Sequence, residues 1–324
     1  WIDQTIEKTI AYMQAGGTFD VSFQVTIPNE WQKIAPINIG YTAGIETSKV
    51  AHQWIQHGNE MDGIVVVSNH AKNTFEHTEY QAHNESTGQQ FMLKLDTPIV
   101  TVNYPAKNYE DLPDINLDLK TDFNFLTVAQ WGPRKNLPNT VKWFIEEFKD
   151  EEVGLIVKTN MAKNCHMDRE VSYGQLINLA NQVAPDRKCK LYLLHGDLTD
   201  EEMHSVYNHE KVSALVALPH GEGFGLPLFE SAYTGLPVIA TGWSGQLDFL
   251  IDENGKNCFY NVSFDLGPVQ QEVVWDGVLI ADSMWSYPRE QSAKQNMRLC
   301  YEDITTNKED SIAVQSCNFA DYTQ

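Results

Sequence analysis

The chain has 324 residues, 42% hydrophobic and 21% charged, which is ordinary globular usage and argues against disorder, collagen-like repeats and coiled coil. At roughly 150 residues per domain, this length predicts about two domains. The 23 Lys and Arg against 44 Asp and Glu leave a net charge of −21, a field that repels phosphate backbones and anionic lipid, so no nucleic-acid partner is expected and any anionic ligand needs a local positive site.

Apolar and amphipathic runs alternate along almost the whole chain. Residues 2–14 carry Ile2, Ile6, Ile10 and Met13 at helical spacing and predict a helix. Residues 19–27 and 37–41 read as strands, the second followed by a helix holding Val50, Trp54 and Ile55. The continuous apolar run at 61–67 has the mark of a strand covered on both faces. The polar segment 68–78 predicts a helix with Ser68 as its N-cap. Between 80 and 103, two apolar runs flank Asp96, Thr97 and Pro98 and predict a hairpin or an edge insertion. Residues 104–122 are rich in Pro, Asn and Asp, lack periodicity and read as a linker.

A second alternation starts at residue 123. Strands are predicted at 123–129, 153–158, 190–195, 212–218 and 236–241, with helices near 138–149, 170–183, 199–208 and 227–234, and a terminal helix over 286–303. Strands alternating with helices predict an α/β fold of two Rossmann-like domains with parallel, doubly wound sheets. Ligands of such folds bind at the carboxyl ends of strands, so the expected site is a cleft between two facing domains. The expected boundaries are 1–106 for a first domain, 107–122 for a linker and 123–285 for a second domain. A C-terminal helical segment, 286–324, is expected to pack back on the first domain.

Five cysteines, Cys165, Cys189, Cys258, Cys300 and Cys317, are an odd count, widely spaced and without a CxxC pair. They predict a reduced, cytoplasmic compartment and neither a disulfide nor a zinc framework; the sequons at Asn84 and Asn261 then carry no meaning. No apolar run approaches the roughly 20 residues of a membrane span, so no integral membrane segment is expected. His52 and His57 do not share a helix face, and His166 lacks a partner at ligand spacing, so no metal is expected.

The most informative stretch runs from His220 to Glu230, after the apolar run at 214–218. Pro227 suits a first helical turn, and Gly235 suits the residue just past the helix. Between strand and helix, Gly223 and Gly225 let the backbone approach an anion, and the N–H groups of a helix start point at it. Glu222 would repel phosphate and is better suited to accepting hydrogen bonds from hydroxyls; Glu230 follows inside the helix. Two carboxylates flanking a phosphate cradle fit a ligand with hydroxyls on both sides of a diphosphate, the layout of a nucleotide sugar.

Glu222 and Glu230, separated by seven residues around Gly223, Phe224, Gly225, Leu226 and Pro227, resemble the E-x7-E signature of retaining glycosyltransferases with the GT-B fold, the nearest group being glycosyltransferase family four (group 1). The stretch at 193–207, the βα unit from Phe125 through Arg134, Lys135 and Asn136 to Phe148, and the segment 61–72 resemble the same family, covering roughly 60–260. The resemblance implies roles. Glu230 would hold the ribose hydroxyls, Glu222 would contact the transferred sugar, and the N–H groups of Phe224, Gly225 and Leu226 would face sugar and phosphate. Lys135 and Arg134 would neutralise the diphosphate leaving group, making Glu222, Lys135 and Arg134 the catalytic set. Gly223, Lys158, Gly196 and Ser244 would line the donor, with Thr42 and Glu46 on the acceptor side.

No cofactor is expected beyond the substrate nucleotide sugar, UDP- or GDP-linked, and the acceptor is an unidentified hydroxyl. Where the family often has Gly-Arg, Ala129 and Gln130 stand, so that cation is either missing or moved to Arg134. Where it often has His, residues 42–47 carry Thr42 and Glu46. The usual first strand and its Gly-rich loop are expected upstream of Trp1. Two other activities share these features: a nucleotide-sugar epimerase or phosphorylase of the same fold, and a non-catalytic nucleotide-sugar or glycan-binding protein. Oligomeric state is not legible.

Overall fold

Residues 1–83, 88–307, 319 and 322 are described by the computed structural model. Cys317 and the sequon at Asn84 lie outside the described residues. The chain divides into two units: Trp1–Val102 with Gln270–Ser283, and Asn103–Val269 with Met284–Gln324.

The first unit begins with α1 (Ile2–Gln14), at the predicted bounds, but it buries none of its residues and its Ile2, Ile6, Ile10 and Met13 are exposed. Then follow β1 (Val21–Val25), β2 (Ile37–Thr42), α2 (His52–Gly58), β3 (Gly63–Val66), α3 (Asn69–Glu76), β4 (Tyr80–His83), β5 (Gln90–Leu93) and β6 (Ile99–Thr101). The four-stranded sheet has the order β1-β2-β3-β6 and every pair is parallel. Ser68 caps α3 as its sequence predicts, its hydroxyl accepting from the Ala71 N–H at 3.1 Å.

One expectation fails in detail. The hairpin pairs β4 with β5, Tyr80 opposite Leu93, and the apolar run after Pro98 joins the main sheet as β6 beside β3. Ile99 is buried in the same core as Ile64, and the Ile64 N–H donates to the Pro98 carbonyl. Burial of this run outweighs the local turn signal.

The second unit is laid out as β7 (Asn124–Val128), α4 (Leu137–Phe148), β8 (Gly154–Lys158), α5 (His166–Val183), β9 (Lys190–Leu194), α6 (Asp200–Tyr207) and β10 (Val212–Ala217). It continues through α7 (Leu226–Tyr233), β11 (Val238–Thr241), α8 (Leu247–Leu250), β12 (Tyr260–Val262), the antiparallel pair β13 (Phe264–Pro268) and β14 (Met284–Pro288), and α9 (Glu290–Thr305). Its six-stranded parallel sheet has the order β12-β11-β10-β7-β8-β9, the doubly wound 3-2-1-4-5-6 arrangement read from the other edge. The inner strands are buried on both faces, which is why they read as unbroken apolar runs. Phe125, Phe144 and Phe148 pack ring to ring in the core. The Arg298 guanidinium lies 4.4 Å over the Phe148 ring while it pairs with Glu147 and Glu151, tying α9 to α4.

The unit boundaries differ from the predicted ones. Residues 103–122 group with the second unit. Gln270–Ser283 groups with the first, because Val278, Leu279 and Ile280 pack in its core, Asn29 bonds the Gly277 carbonyl and Lys49 pairs with Asp282. The segment expected to return to the first domain begins with β14 and α9, and Ala293, Met297 and Cys300 of α9 fill the core of the second unit.

Candidate functional site

In the second unit, β7 and β10 lie side by side although two strands, β8 and β9, separate them in the chain. The sheet order reverses there, so the loops leaving their carboxyl ends diverge and open a crevice. The first loop turns through Pro133–Lys135 into Asn136, which sits in the left-handed region at φ 52°. The second runs through Leu218 to Gly225. The two are stitched together: the His220 N–H donates to the Arg134 carbonyl at 2.8 Å, and the Asn136 side-chain amide donates to the Leu218 carbonyl at 3.0 Å. Gly225 has φ 96°, and a Cβ there would meet the Leu228 side chain at 3.2 Å, so glycine is required at the start of α7. At Gly245 a Cβ would sit 2.0 Å from the Gly223 carbonyl oxygen. The third loop therefore packs directly against the second.

These loops place Glu222 between two cations. Its side chain is 8% exposed, and the carboxylate accepts from Lys135 Nζ at 2.6 Å and from the Arg134 guanidinium at 3.0 Å. Arg134 also donates to the Gly221 carbonyl at 2.9 Å. A lone carboxylate so buried is costly; two hydrogen-bonded cations offset the desolvation. Ser244, at φ 79°, is fully engaged in scaffolding: its hydroxyl accepts from the Glu222 N–H and donates to Gln246. The Phe224 ring is buried against Tyr104, Phe229 and Phe249, so this residue presents only its backbone.

A cavity of about 640 Å³ opens beside this cluster, with Lys135, Lys158, Gly196, Leu226 and Glu230 among its lining residues. Its volume lies within the range of small-molecule sites. Lys158 ends β8 and donates to the Gly196 carbonyl at 2.7 Å; burial lowers its pKa, opposed by the charge of Asp197. Glu230, on α7, accepts from the Tyr207 hydroxyl at 3.0 Å, and burial raises its pKa. The first turn of α7 leaves N–H groups without intrahelical acceptors, and Leu226 there is exposed. No group of three or more His, Cys, Asp or Glu able to hold a metal exists among the described residues.

Most expected donor residues thus converge in the second unit. Lys135 reaches both the Glu222 cluster and the cavity, whereas Arg134 and Glu222 stand behind it. Thr42 and Glu46 lie in the first unit: Thr42 is buried at the end of β2, its hydroxyl accepting from the Gly44 N–H, and Glu46 is half-buried in the following loop. Sequence reasoning assigned no role to Tyr207, Asn160 or Asn164, which line the cavity, or to Asp168 and His195 behind its wall. The one signal available was His195 beside Gly196 at a strand end.

No family profile and no curated protein sequence matches the chain. Solved structures do. A glycosyltransferase from Rickettsia africae ESF-5 aligns with 95% of this chain and 72% of its own length, at TM-score 0.58 and 12% identity. The E. coli trehalose-6-phosphate protein bound with UDP-2-fluoro glucose aligns with 86% of this chain at TM-score 0.50 and 10% identity, and this chain spans 61% of its length. The likeness to these GT-B proteins is one of fold: the chain is an α/β protein of two Rossmann-like domains with parallel sheets.

Proposed function

We propose that this protein is a retaining glycosyltransferase of the family-four type, moving a sugar from a nucleotide sugar to a hydroxyl acceptor. The observation that carries the reading is the pairing of Lys135 and Arg134 around Glu222 at the sheet's reversal point, beside a cavity that Lys135, Lys158 and Glu230 line. In a chain of charge −21, this is a local positive site of the kind a diphosphate needs.

The donor's diphosphate would lie against Lys135 and the N–H groups of residues 223–226, with Lys158 beside it, and the Gly196 backbone would face the nucleoside. Glu230 would accept from the ribose hydroxyls. As the anomeric carbon–oxygen bond breaks, negative charge grows on the leaving phosphate; Lys135 and Arg134 stabilise it there more than in the bound donor, which is the condition for catalysis. Glu222 would accept from a hydroxyl of the transferred sugar, and Ser244 would hold the Glu222 backbone in place. Thr42 and Glu46 would serve the acceptor. Two cations take the charge-neutralising part, so a chelator should leave turnover unchanged.

The reading is tested by thermal shift against UDP- and GDP-sugars, followed by kinetics. A ligand at about 100 times its dissociation constant adds roughly 2.7 kcal/mol of stability. Lys135→Ala should lower kcat by about a hundredfold or more, and Glu230→Ala should mainly raise the donor KM. Unchanged kinetics in both variants would remove the assignment.

A further inference from the structure

We propose that Asp168 and His195 form a buried positioning pair that sets the cavity wall at residues 160–164 and 196–198, and thereby governs which nucleoside end of a donor the cavity accepts. This rests on the donor reading above. Asp168 lies in the first turn of α5, yet its carboxylate turns back to the preceding loop. It accepts from the N–H groups of Met161, Ala162 and Lys163 at 2.9, 2.7 and 2.8 Å, and from the Ser172 hydroxyl at 3.2 Å. His195 Nε2 completes the set at 2.9 Å, and the two side chains are 3% and 7% exposed.

Burial alone would raise the Asp168 carboxyl, but the N–H groups of Lys163, Met161 and Ala162, with His195, hold it well below the ordinary carboxylate range. Asp168 is therefore an ionised acceptor, and the proton in the shared bond sits on Nε2. His195 follows the last residue of β9 and leads into Gly196. One carboxylate thus binds the loop after β8 to the loop after β9. The loops are joined again by the Asn164 amide donating to Asp197, and Asn160 in turn donates to Asn164.

Neither Asp168 nor His195 lines the cavity, whereas Asn160, Ala162, Asn164, Gly196, Asp197 and Leu198 do. With the diphosphate at Lys135 and the ribose at Glu230, this amide-rich wall remains for the base. A shift of that wall would disturb hydrogen bonds to the base edge and leave the phosphate cradle unaltered.

Calorimetry on the full chain with UDP, GDP and inorganic pyrophosphate tests this. His195→Phe keeps a ring and loses the donor; binding of whichever nucleotide the wild type prefers should weaken about tenfold or more, with pyrophosphate binding unchanged. His195→Gln, whose amide can still donate to Asp168, should restore most of the loss. Asp168→Asn is the second variant, should His195→Phe not fold, and should show the same split. Equal weakening of all three probes, or no weakening, overturns the positioning role. A wild type that binds pyrophosphate and neither nucleotide overturns it as well. A wild type that binds none of the three overturns the donor reading itself.

Discussion

Glu222 holds both of its neighbouring cations at hydrogen-bonding distance. The carboxylate therefore occupies the electrostatic place a phosphate would take, and an incoming diphosphate must share or displace it. Removing the charge while keeping the shape should make the cations more available. Glu222→Gln is expected to tighten pyrophosphate binding about tenfold, since close charge pairs couple by more than a kilocalorie, and to slow sugar transfer; titration calorimetry and initial rates read the two effects. Weaker pyrophosphate binding would mean that Glu222 serves to orient the cations instead. This pairing was invisible in the sequence because 87 residues separate Lys135 from Glu222. The residues were legible as types in a motif; their mutual neutralisation is set by the strand order.

At the scale of elements, the second unit was largely readable because its central strands are apolar on both faces, and no competing pattern exists in runs such as Leu155 to Val157. Among the helices between them, α7 carried its stop in Gly235 and Pro237. β6 was misjudged because Asp96-Thr97-Pro98 is a strong local turn signal, whereas its partner β3 lies more than thirty residues upstream and is chosen by burial of Ile99. The short β12 and the β13–β14 pair left no period long enough to detect. Two helix starts allow a direct comparison. Ser68→Ala removes a side-chain cap from α3 and should cost about 1 kcal/mol. Gly225→Ala forces a Cβ into the left-handed region and toward Leu228, and should cost roughly 1–2 kcal/mol. Denaturant titration gives both values. Only Gly225→Ala should also weaken pyrophosphate binding, because Ser68 belongs to the first unit.

For the whole molecule, pH offers a test centred on the first unit. Burial lowers the pKa of His70 to about 4 from an ordinary 6.5, despite opposing hydrogen bonds from the backbone at Thr47 and Ile45. The folded state thus keeps His70 neutral where the unfolded chain takes up a proton. The contribution is intact above about 6.5 and is lost progressively as pH falls toward 4. At about 1.4 kcal/mol per unit, the full loss approaches roughly 3 kcal/mol. Chemical melts at pH 7 and pH 5 should show the decline, and His70→Asn should flatten it. A variant with the same pH slope as the wild type would assign the decline to other groups.

Two residues in the left-handed region, Asn136 and Gly225, open the helices that flank the reversal point of the sheet. Each closes the connection from its strand to its helix, 129–136 and 218–225, and the two connections are hydrogen-bonded to each other, which disfavours an insertion in either. Gly245, pressed against the Gly223 carbonyl, closes the third side. The mutational landscape of this protein should accordingly be uneven. In a saturation library, intolerance outside the cores would concentrate at these few hinge-like points and the charges they present, while residues 114–118, exposed over most of their length and without a regular element, would accept changes of composition more readily. Divergence over time would then rewrite the connections and leave the three brackets around Glu222 standing.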